Sequence, residues 1–152
     1  MRLEHLFEFS VATKPIVSAG MTTAGERLVA DLGGGTFEGP KLKGKVRASG
    51  ADWALLCNDG TIKIDVRAVL ETDDGAVIYM PYRGRIVVSD AIGKVLADGE
   101  GGTQYGDTYW ITQVQFECGD ERYAWLNTIM AIGEGKLAPN LASYRVFAVQ
   151  SD

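Results

Sequence analysis

Thr61-Ile62-Lys63-Ile64-Asp65-Val66-Arg67-Ala68-Val69-Leu70-Glu71-Thr72 is the stretch from which the fold can be read. Ile62, Ile64, Val66, Ala68 and Leu70 alternate with Lys63, Asp65, Arg67 and Glu71. A period of two sends the two sets to opposite faces of an extended chain, one toward a core and one toward water. The same alternation runs from Leu3 to Val11, with Phe7, Phe9 and Val11 on the apolar parity and Glu4, Glu8 and Ser10 on the other. Between such runs lie Asn58-Asp59-Gly60, Asp73-Asp74-Gly75 and Cys118-Gly119-Asp120, whose Asp-Gly chemistry suits hairpin turns. Strands are expected at 2–12, 26–32, 43–48, 52–57, 61–72, 75–88, 107–118, 121–132 and 142–150. Chained hairpins leave two edge strands unpaired, and closing the sheet on itself removes both, whereas a sandwich only blunts them. The expectation is all-β: a single domain over 1–152 folded as a closed antiparallel β-barrel of about eight strands.

No sustained helical stripe with caps is visible, and Ala19–Glu26 supports at most a short turn between Gly20 and Gly25. Gly93–Asp107, with Asp98-Gly99-Glu100-Gly101-Gly102 at its centre, reads as a long flexible loop of the kind that serves as a lid or binding loop. Gly33-Gly34-Gly35-Thr36-Phe37-Glu38-Gly39-Pro40 lacks the Gly-Lys-Ser/Thr and the helix that a phosphate loop needs. It reads as a corner in the closing sheet.

The chain has 152 residues, 46% of them hydrophobic, and a net charge of -5, with basic residues scattered singly among acids. That argues against a nucleic-acid surface. No apolar run approaches the ~20 residues of a membrane helix, and Met1-Arg2-Leu3-Glu4-His5 is unlike a signal peptide. A cytoplasmic protein with no membrane contact is expected. Cys57 and Cys118 lie far apart and, with the single His5, supply too few soft ligands for zinc. No metal and no cofactor is expected. A homodimer is the default assembly.

Polar and aromatic residues within strands are the candidates for chemistry. Arg67 sits among apolar neighbours, Asp52 and Trp53 open a strand, and Tyr79 and Tyr82 lie in the next. Trp125 and Asn127 share parity in 121–132, as do Trp110 and Phe116 in 107–118. Turned inward, they would make aromatic walls around a few convergent polar groups. The competing readings are that the tryptophans only fill the barrel and that Arg67 pairs with Asp65 or Glu71 outside. Asp73 and Asp74 are read as turn formers. His5, on the parity of Leu3, Phe7 and Phe9, is read as a hydrogen-bonded core histidine.

These residues carry a resemblance over nearly the whole chain. Gly20, Arg27, Gly34-Gly35-Thr36-Phe37-Glu38-Gly39-Pro40, Leu42, Gly44, Gly50-Ala51-Asp52-Trp53, Asp59-Gly60, Arg67, Glu71-Thr72-Asp73-Asp74-Gly75, Ile78, Tyr79 and Tyr123-Ala124-Trp125-Leu126-Asn127 resemble the domain of unknown function 3237 family in order and spacing. The resemblance implies an eight-stranded barrel similar in architecture to allene oxide cyclase. It implies no reaction.

The favoured function is an enzyme acting on a small, largely apolar carbonyl or hydroxyl compound by cofactor-free isomerase, cyclase or lyase chemistry. Arg67 would hold an oxyanion; Asp52, or Glu38 or Glu71 if turned inward, would move the proton; Tyr79 would donate to the same oxygen. Asn127 would orient the substrate, and Trp53, Phe116, Trp125 and Phe37 would wall the pocket. The alternative is a lipocalin-like carrier or sensor of an apolar metabolite without turnover. A structural role with a filled barrel is the third reading.

Overall fold

The computed structural model describes residues 1–152 and contains ten strands: β1 (Arg2–Thr13), β2 (Val17–Thr22), β3 (Gly25–Glu38), β4 (Lys43–Val46), β5 (Ala51–Leu56), β6 (Thr61–Thr72), β7 (Val77–Val87), β8 (Trp110–Val114), β9 (Met130–Ala138) and β10 (Leu141–Gln150). One α-helix, α1 (Asp90–Asp98), and a 3₁₀ segment, Glu121–Thr128, complete it. Every strand pairing is antiparallel, in the order β1, β10, β9, β8, β7, β6, and then a stave made of β4 and β5 end to end. That stave pairs with β3, and β3 pairs back onto β1, so the sheet closes into an eight-stave barrel. The expected closed barrel is the observed one.

β3 closes the ring because it bends. Its first half pairs with β5 on one side and β2 on the other; its second half pairs with β4 and β1. The bend falls at Gly33-Gly34-Gly35, where Gly34 takes a left-handed φ of 86° and Gly35 lies so close to β1 that a Cβ would strike the Ser10 carbonyl. Only glycine meets both demands.

Several expectations are corrected. His5 is exposed, because a bulge between His5 and Phe7 breaks the parity and buries Leu6 and Phe7 together. The first part of Gly93–Asp107 is helix. Ser89 Oγ caps it by accepting the Ile92 N–H at 3.3 Å, and Ile92 and Val95, three residues apart, are buried. Gly93 is tolerated on a side open to space, and Gly99 ends the helix at a φ of 67°. The expected strand 121–132 is 3₁₀ as far as Thr128, since Asp120 caps its start by accepting the Arg122 N–H at 2.9 Å. The strand there is β9, which begins only at Met130, and β2 is an additional strand.

The two ends of the barrel differ. At the lower end Phe7 meets Phe37 and Phe116 edge to face at 5.6 and 6.0 Å, and Leu126 of the 3₁₀ segment is fully buried. That end is plugged solid. At the upper end β2 takes over from β1 along the edge of β3, and α1 lies against β9.

Candidate functional site

Beneath α1 the upper barrel encloses a hollow of about 110 Å³, and twelve of its fourteen lining residues are hydrophobic. Ile62, Ile86 and Leu28 come from three strands and Ile92 from α1, while Ile16 and Leu96, both partly exposed, stand at its mouth. Asp52 supplies the one carboxyl group in the lining. β5 brings it there: Asp52 pairs with Val66, whose side chain faces inward, so Asp52 and Ala54 face inward too. The β5–β6 pairing lapses after Asp52–Val66 and resumes at Leu55–Lys63, and in the gap Asp52 Oδ1 accepts the Asp65 N–H at 3.2 Å. Burial in apolar surroundings pushes the Asp52 carboxyl up to about 6, against the lowering effect of that hydrogen bond. At neutral pH it therefore exchanges a proton far more readily than a surface carboxylate.

Aromatic groups stand beside it. Tyr144 and Trp110 line the hollow, ring centroids 5.5 Å apart and nearly perpendicular, and Tyr82 meets Tyr144 at 5.3 Å. Burial, and then the nearby Asp52 charge, hold Tyr144 well above the usual phenol range, and burial does the same for Tyr82. Both stay neutral and can donate. Trp110 Nε1 and Thr112 Oγ1 are buried without a hydrogen-bond partner. An unpaired buried polar group costs free energy that an acceptor on a ligand or water would recover. The indole fits only because position 135 is glycine, where a Cβ would collide with the ring.

Of the expected catalytic set, only Asp52 reaches the hollow. Arg67 is exposed on the outer face, on the parity of Lys63 and Asp65, and pairs with neither Asp65 nor Glu71. Those acids pair with Arg83 and Arg47 instead. Tyr79 is half-buried on the same outer side, beside Arg67 in a shallow groove. Glu38 is exposed at the lower end, and Glu71 points outward. Among the expected walls, Trp53 lies outside the barrel, 38% exposed. Phe37 and Phe116 are inside but belong to the lower plug. Trp125 is half-buried with the Lys41 ammonium 5.1 Å from its ring centre. Asn127 spends its amide on the Cys118 backbone, accepting its N–H and donating to its C=O, both at 2.8 Å.

Tyr144, Leu28 and Ile92 are not among the expected site residues, and Tyr82 is a candidate to which the sequence reading gives no role. Alternation was the signal for two of them: Tyr144 shares parity with Val146 and Ala148, and Tyr82 with Ile78, Met80 and Ile86, all buried.

The family model described as "Protein of unknown function (DUF3237)" matches residues 1–149. A UPF0311 protein from Rhodopseudomonas palustris (strain TIE-1) is 29% identical over 133 residues, which cover 88% of this chain and 86% of that one. The solved structure of a beta-barrel like protein from Acinetobacter baumannii AYE superposes with a TM-score of 0.83 at 35% identity, covering 98% of this chain and 96% of that one. The hydroalkoxylation enzyme phnH of Penicillium herquei is 29% identical over 139 residues, covering 91% of this chain and 75% of that enzyme.

Proposed function

Since this chain belongs to the DUF3237 family and also has an enzyme as a distant relative, we propose that it is an enzyme that moves a proton within a small unsaturated or carbonyl compound held in the upper hollow. Asp52 is the acid and base of this reading. A neutral carboxyl can give its proton to an sp² carbon and take one back from a hydroxyl, so that a cyclisation or isomerisation closes with no net change in protons or electrons. Such chemistry calls on no electron carrier. Adding an alcohol O–H across a double bond, the reaction that the relative's name describes, has this balance.

The observation that carries the reading is a lone carboxyl raised to about 6 inside a hollow otherwise lined by apolar and aromatic side chains. The hydrogen bond it accepts from the Asp65 N–H does not require an ionisable group, whereas an acid catalyst working near neutral pH gains from a raised carboxyl in such a place. Trp110 Nε1, having no protein partner, is the donor suited to a substrate oxygen, and Tyr144 can support it. Size restricts the substrate. An apolar cavity of about 150 Å³ holds a benzene ring, so the smaller hollow of about 110 Å³ takes no more than the reacting end. The remainder would extend past Ile16 and Leu96. That geometry favours turnover on a small group over storage of a large lipid.

The test is to incubate the protein with a panel of small alkenyl phenols, enols and unsaturated alcohols, and to repeat any conversion with Asp52→Asn. The reading expects kcat to fall about a hundredfold or more with ligand affinity nearly unchanged. Undiminished conversion by the variant would refute Asp52 as the proton carrier.

A further inference from the structure

The outer wall of the barrel carries a second feature, on the opposite side of the sheet from the hollow. A groove of about 800 Å³ crosses β5, β6, β7 and β8 there. Arg27, Lys63, Arg83 and Arg85 line it, and Asp65 is the only acid. In a chain with a net charge of -5 this is a marked local reversal. Lys63 and Arg85 are direct cross-strand neighbours on β6 and β7, and neither is paired with a carboxylate. Like charges directly opposite each other destabilise a sheet. Asp65 answers only Arg83, at 3.5 Å, and the Arg27 guanidinium is held by donating to the Trp53 carbonyl at 2.9 Å.

The rest of the groove is mixed, with Thr112 and Gln113 polar and the other side chains apolar or aromatic. Ile111 and Ile132 form part of its floor, and Trp53 and Tyr109 stand at its sides, 38% and 63% exposed. Unpaired cations around an apolar floor with exposed rings match a ligand that is both planar and negatively charged. Its ring would stack on an aromatic face while its charge answers Lys63 and Arg85. The volume is in the range of a single small-molecule site. A nucleic-acid strand would need a longer track of cations than this groove supplies in a chain whose net charge is -5, which works against it.

We propose that this outer groove is a binding site for a small aromatic anion, a carboxylate or a phosphate monoester, separate from the hollow. Lys63 and Arg85 hold the charged group, and Trp53 and Tyr109 hold the ring. The cross-strand repulsion between the two cations is relieved when the anion binds.

The test is calorimetric titration of the full chain with 2-naphthoate and with adenosine 5′-monophosphate, with 2-naphthamide as the uncharged control. At least one anion should bind, its identity telling carboxylate from phosphate, and the amide should bind at least about tenfold more weakly. Binding should weaken as salt is raised to roughly half-molar. Lys63→Glu and Arg85→Glu each turn the repelling pair into an attracting one. Each variant should melt higher than the parent yet bind the anion at least about tenfold more weakly. Leu96→Ala, at the mouth of the hollow and away from the groove, should leave this binding unchanged. The proposal fails if neither anion binds in the millimolar range, or if the two charge reversals leave binding intact. It fails equally if a single-stranded oligonucleotide binds far more tightly than the monophosphate. Salt-sensitive dimerisation abolished by the same reversals would assign the groove to a second copy of the chain and also overturn it.

Discussion

A carboxyl group surrounded by isoleucines, a tryptophan and a tyrosine is costly in its charged form, and Asp52 pays that cost in stability as well as in acidity. Its folded value of about 6 lies above the ordinary 3.8, so between those values the folded protein binds more protons than the unfolded one. Its contribution is therefore most favourable at low pH, is lost as pH rises from about 4 to about 6, and is flat above about 7. Asp52→Asn should remove this decline and leave the variant more stable than the parent at pH 8 by on the order of 1–2 kcal/mol, after allowing for partial exposure. Urea denaturation across the pH range measures it. If protonated Asp52 is the reactive form, turnover should fall about tenfold per pH unit above about 6. Asn127 has a different part: with two hydrogen bonds to the Cys118 backbone, Asn127→Ala should cost about 1–3 kcal/mol of stability and leave ligand binding in the hollow unchanged. At this scale alternation was the most useful guide. Ile62 to Leu70 already put Arg67 outside, and a charge among apolar residues looks buried only when parity is set aside. Asp52 was harder, since a short strand with Ala, Asp and Trp at its start has no parity of its own. Its neighbour Val66 decides its face.

Among the elements, α1 matters most for the hollow. It is a nine-residue helix with a serine cap, held down by two buried side chains three residues apart. Ile92 is fully buried and roofs the hollow, so Ile92→Ala should cost about 2–5 kcal/mol through lost transfer energy and an enlarged cavity. Denaturant titration gives the number. The same variant should admit bulkier ligands, whereas Leu96→Ala at the mouth should change stability little. The helix was hidden in the sequence because Gly93, Gly99, Gly101 and Gly102 give the region the composition of a loop. Its actual signals, Ser89 before an acidic first turn and Ile92 with Val95, span barely two turns. The 3₁₀ segment was hidden for a related reason. Tyr123, Trp125 and Asn127 alternate like a strand, and only the Asp120 cap and the Asn127 bonds to Cys118 reveal the turn.

For the whole molecule, closure was legible because most of the expected strands follow one another through hairpin turns and an open sheet would have left two edges. What alternation could not say is that the interior is uneven from end to end. Phe7, Phe37, Phe116 and Leu126 fill the lower half, and the upper half is left hollow around Asp52. Inward parity is the same at both ends, so Phe116 and Trp110 read alike although one is plug and the other is wall. The distinction depends on where β3 bends and on what covers each mouth. Gly35→Ala tests that dependence, because a methyl group there meets the Ser10 carbonyl and must push β1 away from β3. The variant should lose several kcal/mol, about the cost of an overpacked core or more.

The central claim is that Asp52 is a protonatable group inside a hollow that takes a small apolar ligand. Its most direct test is the ¹³C resonance of the Asp52 carboxyl, followed through a pH titration with and without a small phenol. A midpoint near 6 is expected for the free protein, assigned by its absence in Asp52→Asn, with a clear displacement of that midpoint when the phenol binds. A midpoint near the ordinary 3.8 that the phenol does not move would contradict it.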